Sequence, residues 1–202
     1  MAAVIAIVDY GAGNLTSVKR AFDRLGVESS ITSDPSFVGI AEKVVVPGVG
    51  HFDATNRLTE SGLRVVTLDA INRGIPFLGI CVGMQWLFES SEESPQTAGL
   101  GLFPGVCERF PVEVKSPHVG WNQVHMGSES ILMDGVPQDS FVYFTHSYRA
   151  PIVPETMAAT EYGGVFSAAI ARGNVFGVQF HPEKSSDLGL RILGNFCGIR
   201  QC

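Results

Sequence analysis

Two short runs, AVIAIV (residues 3–8) and KVVV (43–46), are apolar and β-branched without the in–out alternation of a half-solvated strand. Strands of this kind are buried on both faces, which means a parallel sheet covered by helices. The segment between them, NLTSVKRAFDRLG (14–26), suits a crossover helix. Leu15, Val18, Phe22 and Leu25 fall on one stripe, Asn14 stands where a cap is needed and Gly26 where a helix ends. The alternation continues with a helix over Val65–Arg73, a strand over Pro76–Ile80 and the start of a third helix over Met84–Glu89. After Gly99 the texture changes to strand-like pieces: FVYFTHSY (141–148), MAATEY (157–162), VFSAAIA (165–171) and NVFGVQF (174–180), with Arg172-Gly173 marking a hairpin turn and Leu188–Cys197 a closing helix. The expected fold is α/β, a single domain over 1–202, with a doubly wound, mostly parallel sheet that gains antiparallel strands in its C-terminal half.

A chain of 202 residues buries roughly 70% of its unfolded surface and needs no staples. Cys81, Cys107, Cys197 and Cys202 form no C-x-x-C pair and have no histidines at zinc spacing, so they read as free thiols; no metal or cofactor is expected. The opening MAAVIAIVDY lacks the basic flank and long apolar core of a secretory signal, and no stretch approaches the roughly 18 apolar residues of a membrane span. A soluble cytoplasmic protein is the expectation. The net charge is −6, the charged fraction of 17% lies below the roughly 25% of typical soluble domains, and no Lys/Arg cluster suits a nucleic acid. Low charge fits a well-buried sheet and equally a face covered by another protein.

The densest chemical signal is FLGICVGMQ (77–85). A cysteine in an apolar run is, by itself, a small buried hydrophobe. Glycines two positions to either side, Gly79 and Gly83, give Cys81 the pattern of a strand-to-helix elbow, which presents a nucleophile on a sharp turn and needs small flanking residues. The elbow lies at the carboxyl end of a central strand, where open α/β sheets place their ligands. Unpaired N–H groups of the helix start stabilise negative charge there, and the Val82 N–H can face a developing oxyanion. His51, His118, His125 and His146 read equally well as structural or surface histidines. His181 differs: it ends the strand VFGVQF and is followed by Pro182 and Glu183, so a carboxylate can orient its ring. Cys81, His181 and Glu183 form a candidate triad.

GICVGMQ together with VQFHPEKS resembles the class I glutamine amidotransferases, whose Cys-His-Glu triad matches Cys81, His181 and Glu183. DYGAGNL (9–15), PGVG (47–50), PHVGWNQV (117–124) and YFTHSYRA (143–150) narrow the resemblance to the glutaminase subunit of imidazole glycerol phosphate synthase, over nearly the whole chain. His51 departs from the pattern, which more often has a small residue after PGVG, and is read as structural. The resemblance implies hydrolysis of the glutamine side-chain amide and delivery of the ammonia to a separate (βα)8-barrel cyclase subunit. That subunit would form imidazole glycerol phosphate and aminoimidazole carboxamide ribotide. It also implies that Gln85 and the backbone around Ser147 and Tyr148 hold the amino-acid end of glutamine, and that Asn14, Trp121 and Lys184 dock the partner. Gly48, Val49 and Gly50 join Val82 as oxyanion candidates, glycine allowing close approach and reorientation of the peptide. PGVG also fits a plain turn, and Trp121 could equally be a core residue.

Two rivals stand. The same triad would serve a glutaminase feeding another synthase, such as those making anthranilate, GMP or pyridoxal phosphate. A nucleotide-binding module could use Gly11-x-Gly13 and Asp34, although Thr16 replaces the third glycine.

Overall fold

A computed structural model describes residues 4–201. Ala3, in the first apolar run, and Cys202 lie outside them. Strand β1 (Ile5–Val8) is fully buried, and its side chains split between two cores: Ile5 and Ile7 face one, Ala6 and Val8 the other. Helix α1 (Leu15–Arg24) covers the first face with Val18 and Phe22, and Gly26, at φ +69°, ends its connection. Asn14 takes the cap position, its carbonyl accepting from the Ser17 and Val18 N–H groups, but its side chain makes no capping bond.

The chain continues through β2 (Ser29–Thr32), α2 (Pro35–Ile40), β3 (Lys43–Gly48), α3 (Asn56–Glu60), α4 (Leu63–Asn72), β4 (Phe77–Cys81) and α5 (Val82–Gln85). Asp34 is spent as the cap of α2, accepting from the Ser36 N–H at 2.9 Å, which takes away the acidic residue the nucleotide-binding reading needs. Helices α2 and α4 line the second face with Val38, Leu63 and Ala70. The short strands β5 (Ser90–Ser91), β6 (Val106–Arg109) and β9 (Tyr148–Arg149) form a small separate sheet. Strands β7 (His118–Met126), β8 (Ser140–His146), β10 (Thr156–Glu161), β11 (Val165–Arg172) and β12 (Val175–Val178) join the main sheet, and α6 (Ser186–Gly198) closes on its first face with Ile192, Leu193 and Phe196.

The main sheet has nine strands in the order β2-β1-β3-β4-β12-β11-β10-β7-β8. Strands β2, β1, β3, β4 and β12 are parallel neighbours; from β12 outward every pairing is antiparallel. The expected architecture is therefore present, with β12 as the hinge between regimes: it returns through a tight turn from β11 and lies parallel to β4. Among the described residues no helix is long and apolar enough to cross a membrane.

The expected helix over Met84–Glu89 is replaced by the single turn α5. Beyond it the carbonyls of Trp86, Leu87 and Phe88 are taken by the N–H groups of residues 100–103 as that chain returns alongside, so they are lost to helix propagation. Strand β7 goes unpredicted because Pro117 precedes it, Gly120 interrupts it and its burial alternates only weakly; seven residue pairs with β8 supply what local propensity lacks.

Glycines let α5 lie on the strands. A β carbon at Gly83 would run into the Val46 carbonyl, and one at Gly79 into the Gly83 carbonyl. Backbone cannot step aside as a side chain can. Gly83→Ala is accordingly expected to destabilise the chain by about 3 kcal/mol or more, read as a fall in the thermal unfolding midpoint; an alanine variant as stable as the parent would contradict this packing.

Candidate active site

Strand β4 reads FLGIC, is fully buried and ends at Cys81, where the chain turns directly into α5. Cys81 has φ 54° and ψ −109°, a conformation side-chain-bearing residues avoid and one that stores on the order of 1–3 kcal/mol. Its neighbours hold it there. Gly48 lies directly across from Cys81 in the β3–β4 pairing, and a β carbon on Gly48 would come within 2.6 Å of the Val82 Cβ and 2.7 Å of the Tyr10 hydroxyl. Cys81 is 2% exposed; its Sγ is 3.6 Å from the Gln179 Nε2 and 3.9 Å from the Thr145 carbonyl oxygen.

His181 follows β12, the strand paired with β4, so it arrives at the same end of the sheet as Cys81. Pro182 opens a turn over Pro182–Lys184 that folds Glu183 back under the ring. His181 Nδ1 donates to Glu183 Oε1 at 2.8 Å, with both side chains 1% exposed. The backbone of His181 is locked by a closed ring of hydrogen bonds. Its N–H donates to the Tyr143 carbonyl at 2.8 Å, the Ser185 hydroxyl donates to its carbonyl at 2.7 Å, and the Tyr143 N–H donates to the Ser185 Oγ at 3.0 Å. His181 Nε2 is buried and makes no hydrogen bond of good geometry, leaving Cys81 as the group it addresses. Burial pulls the His181 pKa down; negative charge and hydrogen bonding at Cys81, then Glu183, outweigh it and raise the pKa from 6.5 to about 10. The imidazole is thus held as a cation beside the cysteine.

A cavity of about 170 Å³ opens over Cys81, lined among others by Gly50, Val82, Gln85, Glu93, His146 and Tyr148. Val82, as the first residue of α5, has no intrahelical acceptor for its N–H. Of the three oxyanion candidates on β3 and beyond, Gly48 is hemmed in. The freedom expected across Gly48-Val49-Gly50 is confined to Val49, 41% exposed, and Gly50, whose φ of +110° and open surroundings let the peptide between them turn. Ser147 and Tyr148 line the cavity, but their carbonyls are already used. The Ser147 oxygen accepts from the Phe110 N–H at 3.1 Å. The Tyr148 oxygen accepts from Gln85 Nε2 and from His146 Nδ1, each at 2.8 Å. With these oxygens engaged, the main chain of the segment offers a ligand its N–H groups. Gln85, expected to grip the ligand, lines the cavity while its amide braces Tyr148 and Gln179.

Trp121 is half exposed on β7 rather than a core residue, and sits edge-on to Tyr143 at 6.1 Å; Lys184 reaches over the same Tyr143 ring at 5.7 Å. Two of the three docking candidates thus share one surface cluster, and Asn14 starts α1, which packs against the Pro182–Lys184 turn. His51 caps the turn at Phe52–Thr55, its Nδ1 accepting from the Asp53 N–H, in keeping with a structural role. Sequence reasoning missed Glu93, which lines the cavity and accepts from the Phe52 N–H at 2.8 Å. No spacing in the sequence ties a loop glutamate to Cys81; only the small sheet that folds residues 90–109 over the site does so.

In the Cys81→Ala variant the main contribution holding His181 protonated is gone, leaving burial opposed by Glu183 alone. Its pKa is expected to fall well below about 10, measured by following the imidazole resonances against pH; an unchanged titration would place the thiol too far away to matter.

The class-I glutamine amidotransferase family model matches residues 6–198. The chain is 50% identical over 197 residues to the imidazole glycerol phosphate synthase subunit HisH of Moorella thermoacetica, covering 95% of this chain and 93% of that one. It is likewise 50% identical over 199 residues to the HisH subunit of Thermococcus kodakarensis, covering 96% and 98%. Among solved structures, PurLQS from Thermotoga maritima superposes with a TM-score of 0.76 at 18% identity, covering 98% of this chain and 99% of that one. A structure described as a glutamine amidotransferase gives 0.75 at 19%, covering 96% and 99%; at such identities these two speak for the fold. By its sequence and its fold, this chain belongs to the class-I glutamine amidotransferases, in the family of the HisH subunits of imidazole glycerol phosphate synthase.

Proposed function

We propose that the chain, acting as one amidotransferase domain, hydrolyses glutamine to glutamate and ammonia at Cys81 and passes the ammonia to a cyclase subunit. The reading rests on one observation above the others: a cysteine on a strained elbow shares a buried site with a carboxylate-oriented imidazole, beneath a cavity. The Cys81 Sγ attacks the side-chain amide carbon of glutamine, and the carbonyl electrons move onto oxygen. His181, protonated, gives its Nε2 proton to the amide nitrogen, ammonia leaves, and a thioester remains. Water then attacks the thioester with neutral His181 accepting its proton, and collapse of the intermediate expels the Cys81 sulfur as thiolate, so that glutamate departs, its acid proton lost to solvent, and the starting pair with protonated His181 is restored. Glu183 holds the ring in orientation throughout. The Val82 N–H and the N–H of the turning Val49–Gly50 peptide stabilise the oxyanion.

Substrate orientation follows from the donors and acceptors lining the cavity. With both carbonyls of Ser147 and Tyr148 occupied, that segment suits the carboxylate of glutamine, while the Glu93 carboxylate suits its ammonium. A thiol nucleophile works in a reducing compartment, which agrees with a cytoplasmic location. The partner is the (βα)8-barrel subunit of imidazole glycerol phosphate synthase, docked over Trp121, Lys184 and Asn14. The names of the 50%-identical relatives favour this synthase over the anthranilate, GMP or pyridoxal phosphate alternatives.

In the complex, Cys81→Ala is expected to abolish glutamine-dependent synthesis and spare synthesis from free ammonia, since only the ammonia source is lost; loss of both would refute the assignment. Single-turnover cleavage of glutamine should be nearly as damaged in His181→Ala and less so in Glu183→Gln. Free ammonia would be wasted, so the chain alone is expected to be slower than the liganded complex by about 10²–10³, the effect of one missing oxyanion donor. Equal rates for the free chain and the liganded complex would show that Val49–Gly50 does not gate the reaction.

A further inference from the structure

His118 and His146 are both buried and take no part in the chemistry above. They lie side by side on the paired strands β7 and β8, where His118 is the partner of His146. His118 Nδ1 is 3.2 Å from His146 Nε2, His146 Nδ1 is 2.8 Å from the Tyr148 carbonyl, and His118 Nε2 is 3.3 Å from Asn122 Nδ2. Such a chain of rings has two possible directions, and here both ends fix the same one. The Tyr148 carbonyl can only accept, so His146 carries its proton on Nδ1 and presents Nε2 as an acceptor. His118 must then donate from Nδ1 and accept at Nε2. At the far end, Asn122 Oδ1 accepts from the Gln123 N–H at 2.8 Å and Nδ2 donates to the Glu161 carbonyl at 3.1 Å, which sets the amide with its N–H groups toward His118. Every proton in the series has one place to be.

We propose that Asn122, His118 and His146 are positioning residues that hold the Ser147–Tyr148 segment in the form that receives the carboxylate of glutamine. The inference rests on the glutaminase reading. The relay ends on the Tyr148 oxygen, where with Gln85 it fills both lone pairs and so withdraws that carbonyl from any ligand in the cavity. It begins beside Trp121 on the surface strand, so the wall of the cavity is tied through three hydrogen bonds to the strand that carries a docking candidate. Burial keeps both rings neutral, as the relay requires, lowering His118 to about 4 and His146 to about 3.

The test separates hydrogen bonding from packing, because the two make opposite demands at position 118. The His118 ring stacks on Tyr162 at 4.1 Å and on Phe144 at 4.9 Å. His118→Phe keeps that stack and removes the relay; His118→Asn forfeits the stack and keeps a donor near the Nδ1 position. In the complex with the cyclase, His118→Phe is expected to raise the KM for glutamine about tenfold with kcat within about twofold, the effect of two unpaired neutral hydrogen-bonding groups. His118→Asn is expected to unfold at a lower temperature than His118→Phe yet to have a KM closer to the parent. An unaltered KM in His118→Phe, or a KM order that follows thermal stability, overturns the proposal. Nitrogen chemical shifts of the two imidazoles at pH 7 give a readout independent of catalysis: both rings should be neutral with the proton on Nδ1. A proton on Nε2 of either ring overturns the relay, even if glutamine turnover itself were to fail and the functional reading with it.

Discussion

The site depends on how closely one turn of helix can be pressed onto three strands. Side chains are missing at Gly48, Gly79 and Gly83, and each absence is filled by backbone or by a neighbouring side chain: Val82 and Tyr10 against Gly48, the Gly83 carbonyl against Gly79, the Val46 carbonyl against Gly83. That contact pins α5 so near the strand ends that the connecting residue has no relaxed conformation available, and Cys81 takes φ 54°. The strain is supported by a core of Trp86, Leu87 and Phe88 directly behind the turn, all fully buried. A stored 1–3 kcal/mol is small beside the burial of three such side chains, at roughly 1.5–3 kcal/mol each for aliphatic and aromatic groups. The packing therefore decides the conformation, and the conformation places the thiol at the mouth of the cavity.

The topology then makes a second residue inevitable. Because β12 runs parallel to β4 as its direct neighbour, the segments leaving the two strands emerge side by side, and His181 meets Cys81 although 100 positions separate them in the chain. The ring of bonds through Tyr143 and Ser185 ties the base to β8 as well, so His181 is set by two strands of opposite provenance, one parallel and one antiparallel. Tyr143 is also the residue flanked by Trp121 and Lys184. Anything that displaces that surface tyrosine acts on the backbone of His181 through a single hydrogen bond.

Much of this was legible in the sequence, and the limits have physical causes. Unalternating β-branched runs at residues 3–8 and 43–46 read as strands of a covered sheet, and the glycines flanking Cys81 matched the pattern of a close-packed elbow. Local signals failed where a distant segment supplied the partner. The helix over Met84–Glu89 was lost to residues 100–103, β7 was made by its pairing with β8, and Asn14 sits at the cap position without using its side chain. Glu93 was invisible for the same reason, since only tertiary folding of the small sheet brings it over Cys81.

The protonation states of the two buried histidines His181 and His146 are controlled by what their Nδ1 atoms face. His181 Nδ1 meets the Glu183 carboxylate and its Nε2 a thiol able to bear negative charge, so the cation is favoured in spite of burial. His146 Nδ1 meets a neutral carbonyl and its Nε2 another imidazole, so nothing offsets burial enough to sustain a charge, and the positive His181 lowers its pKa further. The opposed states reinforce each other. A charged His146 would turn its Nε2 from acceptor to donor, breaking the bond from His118, and would add a second cation next to the one that must release its proton to the departing amide nitrogen. Keeping His146 neutral thus confines proton transfer to one ring, while the same hydrogen bonds that enforce neutrality hold the cavity wall in place.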